Sequence, residues 1–204
     1  MTSPLALGWR VPAVPDVLST GILDCPRGRI TEIAGPRSSG RTSLLHSILA
    51  AATGRDEFAV LVDATDSFDP CSASAAGVEL SKLTWIRCNC NVEHAMRAAD
   101  LVIHSGGFGV VALDLAEAAE RALNRIPSTA WFRFRRAVET TPAVLVVLAR
   151  RPLTKNCSAL LVEMKRRHSL FTGKYPFLLL RGAEYELAPR KPVGGKHARW
   201  VASA

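Results

Sequence analysis

The nine residues Gly35-Pro36-Arg37-Ser38-Ser39-Gly40-Arg41-Thr42-Ser43 constrain this chain most, because of what flanks them. Before them lies Arg29–Ala34 (RITEIA), short, β-branched and ended by Gly-Pro, which reads as a strand running into a turn. After them Leu44, Leu45, Ile48, Leu49 and Ala52 recur at helical spacing and stop at Gly54, so a helix is expected from Thr42 to about Thr53. A glycine-rich loop that leaves a strand and opens a helix fits the phosphate-loop pattern G-x-x-x-x-G-K-[ST], with Arg41 standing where lysine is expected. The glycines let backbone N–H groups turn inward, and the helix N-terminus adds partial positive charge. Thr42 would offer its hydroxyl to Mg²⁺. The alternative is a plain strand-turn-helix connection.

Lysine supplies a compact charge on a flexible stem, whereas arginine is longer, planar and bidentate, and the two do not interchange where geometry is tight. Phosphate binding can survive that exchange more readily than hydrolysis can.

The rest of the chain alternates apolar runs with helical stretches. Phe58–Asp63, Leu83–Arg87, Val110–Asp114 and Ala143–Ala149 read as strands, and Thr42–Thr53, Val92–Ser105, the stretch through Leu123 and Ser128–Glu139 as helices. This is βαβ order, and near-continuous apolar strands imply a mostly parallel central sheet covered by helices on both faces, an α/β fold. Ala159–Met164, Pro176–Arg181 and Glu184–Leu187 follow with short links and read as an antiparallel extension at the C-terminal end. The expected division is an N-terminal extension over 1–16, one core domain over 17–188 and a basic, flexible tail over 189–204.

Composition excludes some classes. Of 204 residues 48% are hydrophobic, too many for a disordered chain, while the longest apolar run, Ala143–Ala149, is far short of the roughly 20 residues that cross a bilayer. Five scattered cysteines, and a start without a charged head before an apolar stretch, lead us to expect a cytoplasmic protein. The net charge of +8 is unevenly spread: residues 1–120 carry 9 basic and 14 acidic side chains, residues 121–204 carry 17 and 4. A basic second half suits a polyanion or an acidic partner; a solvated Arg-rich face is the alternative.

The stretch GRITEIAGPRSSGRTSLLHSILAAA resembles the nucleotide-binding segment of the RecA family. Leu18-Ser19-Thr20-Gly21, LVDATDSFDP, and Gly77-Val78-Glu79 with Leu83 are similar to other RecA blocks in the same order, so the resemblance covers about residues 17–115. It implies a RecA-like phosphate-loop core that binds ATP or ADP with Mg²⁺ through Gly35–Ser43, with Asp69 contacting the adenine. It also implies that Thr42 and Asp114, the carboxylate ending an apolar strand, hold the metal.

Departures from the family pattern are concerted. The catalytic glutamate position is Thr65, which cannot act as a general base; Asp66 is adjacent but points elsewhere along the strand end. The aromatic expected after Pro70 is Ser72, and the polar sensor pair is replaced within Ala149-Arg150-Arg151. The two long DNA-binding loops of RecA are shortened, the second to Arg150–Ser158. These changes imply a degenerate site with little or no ATPase activity and no catalytic residue. The alternatives are a working ATPase in which Asp66 or Glu117 replaces the base, and a nucleic-acid-binding protein with a vestigial loop.

A RecA-like core with such a loop and an Arg-rich second half, including Trp131-Phe132-Arg133-Phe134-Arg135-Arg136-Ala137-Val138-Glu139, resembles the ImuA family of accessory proteins. That resemblance implies DNA repair within the SOS response, in damage-induced mutagenesis and translesion synthesis. The implied partners are RecA and an ImuB-like protein of the polymerase family, with association to the nucleoid. The candidate DNA or partner surface comprises Arg133, Arg135, Arg136, Arg150, Arg151, Lys155, Lys165, Arg166 and Arg167. For the helix carrying the first three, aromatics packed against the sheet are the competing reading. Cys88, Cys90 and His94 offer part of a metal site, but a closed zinc site needs four ligands and no second pair occurs.

Overall fold

The computed structural model describes residues 16–192 and 197–203. A small antiparallel pair, β1 (Val17–Ser19) and β2 (Asp24–Pro26), leads into β3 (Arg29–Ala34), the phosphate-loop segment and α1 (Arg41–Thr53). Then come β4 (Ala59–Asp63), α2 (Pro70–Ala75), a 3-10 turn at Leu80–Lys82, β5 (Leu83–Arg87), α3 (Val92–Ser105) and β6 (Val110–Asp114). The chain continues with α4 (Glu120–Leu123), α5 (Ser128–Val138), β7 (Val144–Ala149), β8 (Leu160–Thr172), β9 (Leu179–Lys191) and β10 (Ala198–Ser203). Among the described residues the large sheet has eight strands in the order β10-β9-β8-β3-β7-β6-β4-β5.

From β8 to β5 the neighbours are parallel, and β9 and β10 add antiparallel strands at one side. The strands β4, β6 and β7 are buried at every position, as expected for a sheet covered on both faces. Alternation decides which way each side chain points. Val60, Val62, Val111, Leu113, Leu145 and Val147 meet α3 and α5 on one face; Leu61, Ala112, Val146 and Leu148 meet α1 and the β1–β2 pair on the other. The mixed α/β architecture read from the sequence is the one observed.

The sequence reading needs correction at the C-terminal end. The first part of β8 is parallel to β3 (Thr31 opposite Leu160, Ala34 opposite Glu163) rather than antiparallel. It then continues without a break into a 13-residue strand paired with β9, with β-bulges at Leu161/Val162, Arg166/His168 and Leu170/Phe171. Residues 189–204 are no flexible tail where they are described: Pro189–Lys191 complete β9 and Ala198–Ser203 form β10, because β9 offers an open edge. Residues 193–196 of that expected tail, residues 1–15 of the expected extension and Ala204 lie outside the described residues. The helix expected through Leu123 is only Glu120–Leu123, since Ala116 and Glu117 form a turn.

Candidate functional site

Parallel strands end together, so their carboxyl-terminal loops converge at one edge of the sheet, where open α/β folds bind ligands. Here that edge gathers Gly35 after β3, Asp63 ending β4, Asp114 ending β6 and Arg150 after β7; Asp63 and Asp114 are direct cross-strand neighbours. The Gly35 N–H donates to the Ala149 carbonyl (3.2 Å), and the Ser39 N–H to the Pro36 carbonyl (3.3 Å), closing the loop as a turn. Gly40 caps α1 with φ 88°, a left-handed conformation that glycine adopts without strain, and no side chain caps the helix. The first N–H groups of α1 are therefore free for an anion, as the phosphate-loop reading requires. The buried Ser39 hydroxyl has no partner among the described residues.

A carboxylate of the chain itself occupies the open side of this loop. Glu117 binds Arg41 (3.3 Å), Arg150 (2.7 Å) and Arg37 (2.6 Å). Arg150 also donates from Nε to the Ala116 carbonyl. Burial alone would raise the Glu117 pKa, but hydrogen bonds from Arg37 and Arg150 hold it below the usual glutamate range, so Glu117 is a poor base. The pKa of Arg41, whose side chain is 6% exposed, is lowered by burial and raised again by the charges of Asp114 and Glu117, and its Nη1 has no partner among the described residues. Asp114 accepts the Ala116 N–H (2.8 Å), and burial first, then the charge of Asp63, push it up to about 6.

A phosphate fits the free N–H groups and Ser39. A divalent cation fits less well, because the Arg41 guanidinium faces Asp114 and Thr42 is exposed on the first turn of α1. Among the described residues no group of three or more His, Cys, Asp or Glu could hold a metal ion.

Other expected residues make local contacts. Both Asp69 oxygens accept N–H groups of α2, from Cys71 (3.2 Å) and Ser72 (3.0 Å), and the Ser72 hydroxyl donates to the same carboxylate. Asp69 is thus a helix cap. The Thr65 hydroxyl turns to Ser67, and Asp66, in left-handed backbone, pairs with Arg87 (3.2 Å). Cys88 is buried and Cys90 exposed, since both lie beyond the end of β5, where Asn89 and Cys90 turn left-handed.

Much of the expected basic surface is already paired. Arg133 binds Asp100, Arg135 binds Glu139, Arg151 binds Glu120, Arg167 binds Glu186, and Lys155 donates to Ser128. Arg136, Lys165 and Arg166 are exposed with no carboxylate partner among the described residues. On α5 the packing alternative holds for Trp131 and Phe134, which are buried edge to face, whereas Phe132 is 53% exposed.

Two residues at this edge escaped the sequence reading. Buried Glu32 on β3 accepts hydrogen bonds from the Leu153 and Thr154 N–H groups and the Thr154 hydroxyl, fixing the short loop that presents Arg150. An acidic residue between Thr31 and Ile33 of a buried strand is its only signal in the sequence. Tyr185 on β9 covers Gly40 so closely that a Cβ there would lie 2.8 Å from the ring. Nothing local announces that contact, which joins residues 145 positions apart.

The sequence profile of the RecA N-terminal domain matches residues 15–123, more than half of the chain. RecA of Rubrobacter xylanophilus is 39% identical over 97 residues, 48% of this chain and 28% of that protein. RecA of Methylococcus capsulatus is 40% identical over 108 residues, 48% of this chain and 31% of that protein. The chain thus matches only about a third of the length of these relatives. The crystal structure of the RadB recombinase superimposes with a TM-score of 0.66 over 90% of this chain and 95% of its own, at 15% identity, a likeness of fold. The chain belongs to the RecA N-terminal domain family.

Proposed function

We propose that this chain is a RecA-fold DNA-repair protein that acts through protein contacts and has little or no ATPase activity. The observation that carries the reading is Glu117 bound by Arg37, Arg41 and Arg150, an internal anion on the open side of the phosphate loop. Thr65 in place of the base supports it. Hydrolysis needs a group that activates water, and the nearby carboxylates are committed: Asp66 to Arg87, Glu117 to three arginines. ATP or ADP, where bound, would rest its phosphates on the N–H groups of Gly40–Ser43 and the Ser39 hydroxyl, after Glu117 yields; the phosphates supply only negative charge to that cradle.

The ImuA resemblance makes the role an accessory one in SOS mutagenesis and translesion synthesis, with RecA and an ImuB-like protein as partners, within a single core over 17–188. DNA is a further partner of the basic half, and the site of action is the cytoplasm, at the nucleoid. No helix among the described residues is long and apolar enough to cross a membrane.

Phosphate release measured with and without single-stranded DNA, beside capture of purified RecA and ImuB-like protein, tests this reading. Background turnover with capture of either partner is expected; turnover clearly above background, or no capture of either, overturns it. The competing ATPase reading is favoured by the partnerless Ser39 hydroxyl and Arg41 Nη1, which an incoming phosphate would satisfy.

A further inference from the structure

α3 and α5 pack side by side on one face of the sheet, and the furrow between them opens into a cleft of about 670 Å³. Its floor is apolar: Val92 and Met96 from the first turns of α3 face Ala122, Ile126 and Ala130. Met96, Ala122 and Ile126 are half-buried and rest on the core beneath, so the floor is an opening of the core toward solvent. A cleft of this size takes a compact ligand or a few side chains of a partner.

The rim is basic. Arg97, Arg125 and Arg133 line the cleft, with Glu93 the one acid among its described lining residues. Arg97 is held by Glu93 and Arg133 by Asp100, but both arginines are more than half exposed, and Arg125 has no carboxylate partner among the described residues. Exposed pairs of this kind contribute little, so an incoming carboxylate can take over either arginine at small cost.

The furrow continues past this cleft. Thr129 and Arg133, one turn apart on α5, also line a second depression of about 500 Å³, bounded by His104, Phe132 and Arg136. Phe132 is 53% exposed there. Met96 and His104, which mark the two depressions on α3, are eight residues apart, about 12 Å along the helix axis.

We propose that the α3–α5 furrow receives an acidic amphipathic helix of a partner protein. One apolar anchor would sit on Met96 and Ile126, a second against Phe132 about two turns further on, and carboxylates would face Arg97, Arg125 and Arg133. Helices occupy grooves through such anchors at i and i+7, and two turns span the distance between the depressions. Charge complementarity selects the occupant: four arginines and one acid line the two depressions among the described residues. A nucleic-acid strand would need an aromatic platform for its bases, and no described residue lining the cleft is aromatic. A second copy of this chain does not supply the segment, because no helix among the described residues carries more than two acidic side chains. The inference rests on the protein-contact reading and gives it a surface.

The test uses the full chain and a labelled helical peptide of about 18 residues, with two Leu seven positions apart, Glu flanking that face and Ala elsewhere, followed by anisotropy. The wild type is expected to bind it, and to bind a peptide with Lys for each Glu at least about tenfold more weakly. Arg97→Glu with Arg125→Glu should weaken the acidic peptide at least about tenfold. Thr129→Trp, which fills the saddle shared by the two depressions, should do the same without changing charge. All three residues are exposed, so the fold is retained, and urea unfolding curves like those of the wild type check it.

No binding by the wild type, equal binding of the two peptides, or equal binding by the variants overturns the furrow. So does an arginine variant that loses a single-stranded oligonucleotide and holds the acidic peptide as before, which assigns the rim to nucleic acid. Capture of RecA or the ImuB-like protein by variants that have lost the peptide overturns the furrow and leaves the protein-contact reading standing. Failure of the wild type to capture either while it binds the peptide overturns the choice of those two partners and not the furrow.

Discussion

The phosphate-loop edge and the β8–β9 ribbon carry comparable positive charge and treat it in opposite ways. At the loop edge Arg37, Arg41 and Arg150 converge on Glu117, with Asp114 close to Arg41. On the ribbon four of the five cations between Glu163 and Glu184 have no carboxylate partner among the described residues, and apolar side chains stand in solvent. The difference teaches that the basic second half is not one surface. Six of its twelve arginines are bound to acids, three of these from the acidic first half, while cations without a carboxylate partner among the described residues lie both on the ribbon and, as with Arg136, away from it.

The contrast can be broken first at its structural root. Phe134→Ala, which empties a fully buried site between α5 and the sheet, should cost about 3–5 kcal/mol in urea unfolding. If it costs no more than a surface substitution, the packed half is not packed as described.

The next largest effect is electrostatic. The Asp114 carboxyl titrates at about 6 when folded against an ordinary value of 3.8, so the folded state holds a proton longer than the unfolded state does. Stability should therefore fall as pH rises from about 4 to about 6, by up to about 3 kcal/mol from this group, and Asp114→Asn should flatten that slope in denaturation curves taken across the window. An unchanged slope would show that Arg41 already neutralises the burial cost.

Glu117→Gln should sharpen the comparison by making the loop edge resemble the ribbon. With the internal anion gone, Arg37 and Arg150 lose their carboxylate partner and Arg41 keeps only Asp114, and calorimetric titration with inorganic pyrophosphate should show affinity raised at least about tenfold, or about 1.4 kcal/mol. No gain would mean that Glu117 does not compete with phosphate. The smallest effect is expected on the ribbon itself: Phe177→Ala should change stability by less than about 0.5 kcal/mol, measured by the same unfolding curves as Phe134→Ala.

These regions also differ in how far the sequence discloses them. Val92–Ser105, Leu83–Arg87 and Val110–Asp114 match their expected bounds because apolar spacing there is enforced by burial against the sheet. The ribbon was read as separate short strands, since its exposed residues obey no burial pattern and three bulges interrupt any alternation. At the site, the loop and the loss of the base at Thr65 were legible as motif positions. The binding of Glu117 by arginines 76 to 80 positions earlier and 33 later was not, although Arg41 in place of lysine beside a carboxylate three residues after Asp114 is the trace it leaves. The capping role of Asp69 was not legible either, because a capping aspartate and a ligand-binding one look alike in sequence.

The Tyr185 ring rests on Gly40 and lies 5.6 Å from the indole of Trp200 on β10. The base of the ribbon thereby carries a fluorophore beside the one glycine on which the turn into α1 depends. Emission from Trp200, read in a chain whose Trp9, Trp85 and Trp131 are replaced by Phe, should report whether an event at either place is felt at the other. Were the two regions independent, neither pyrophosphate at the loop nor DNA at the basic half would shift it.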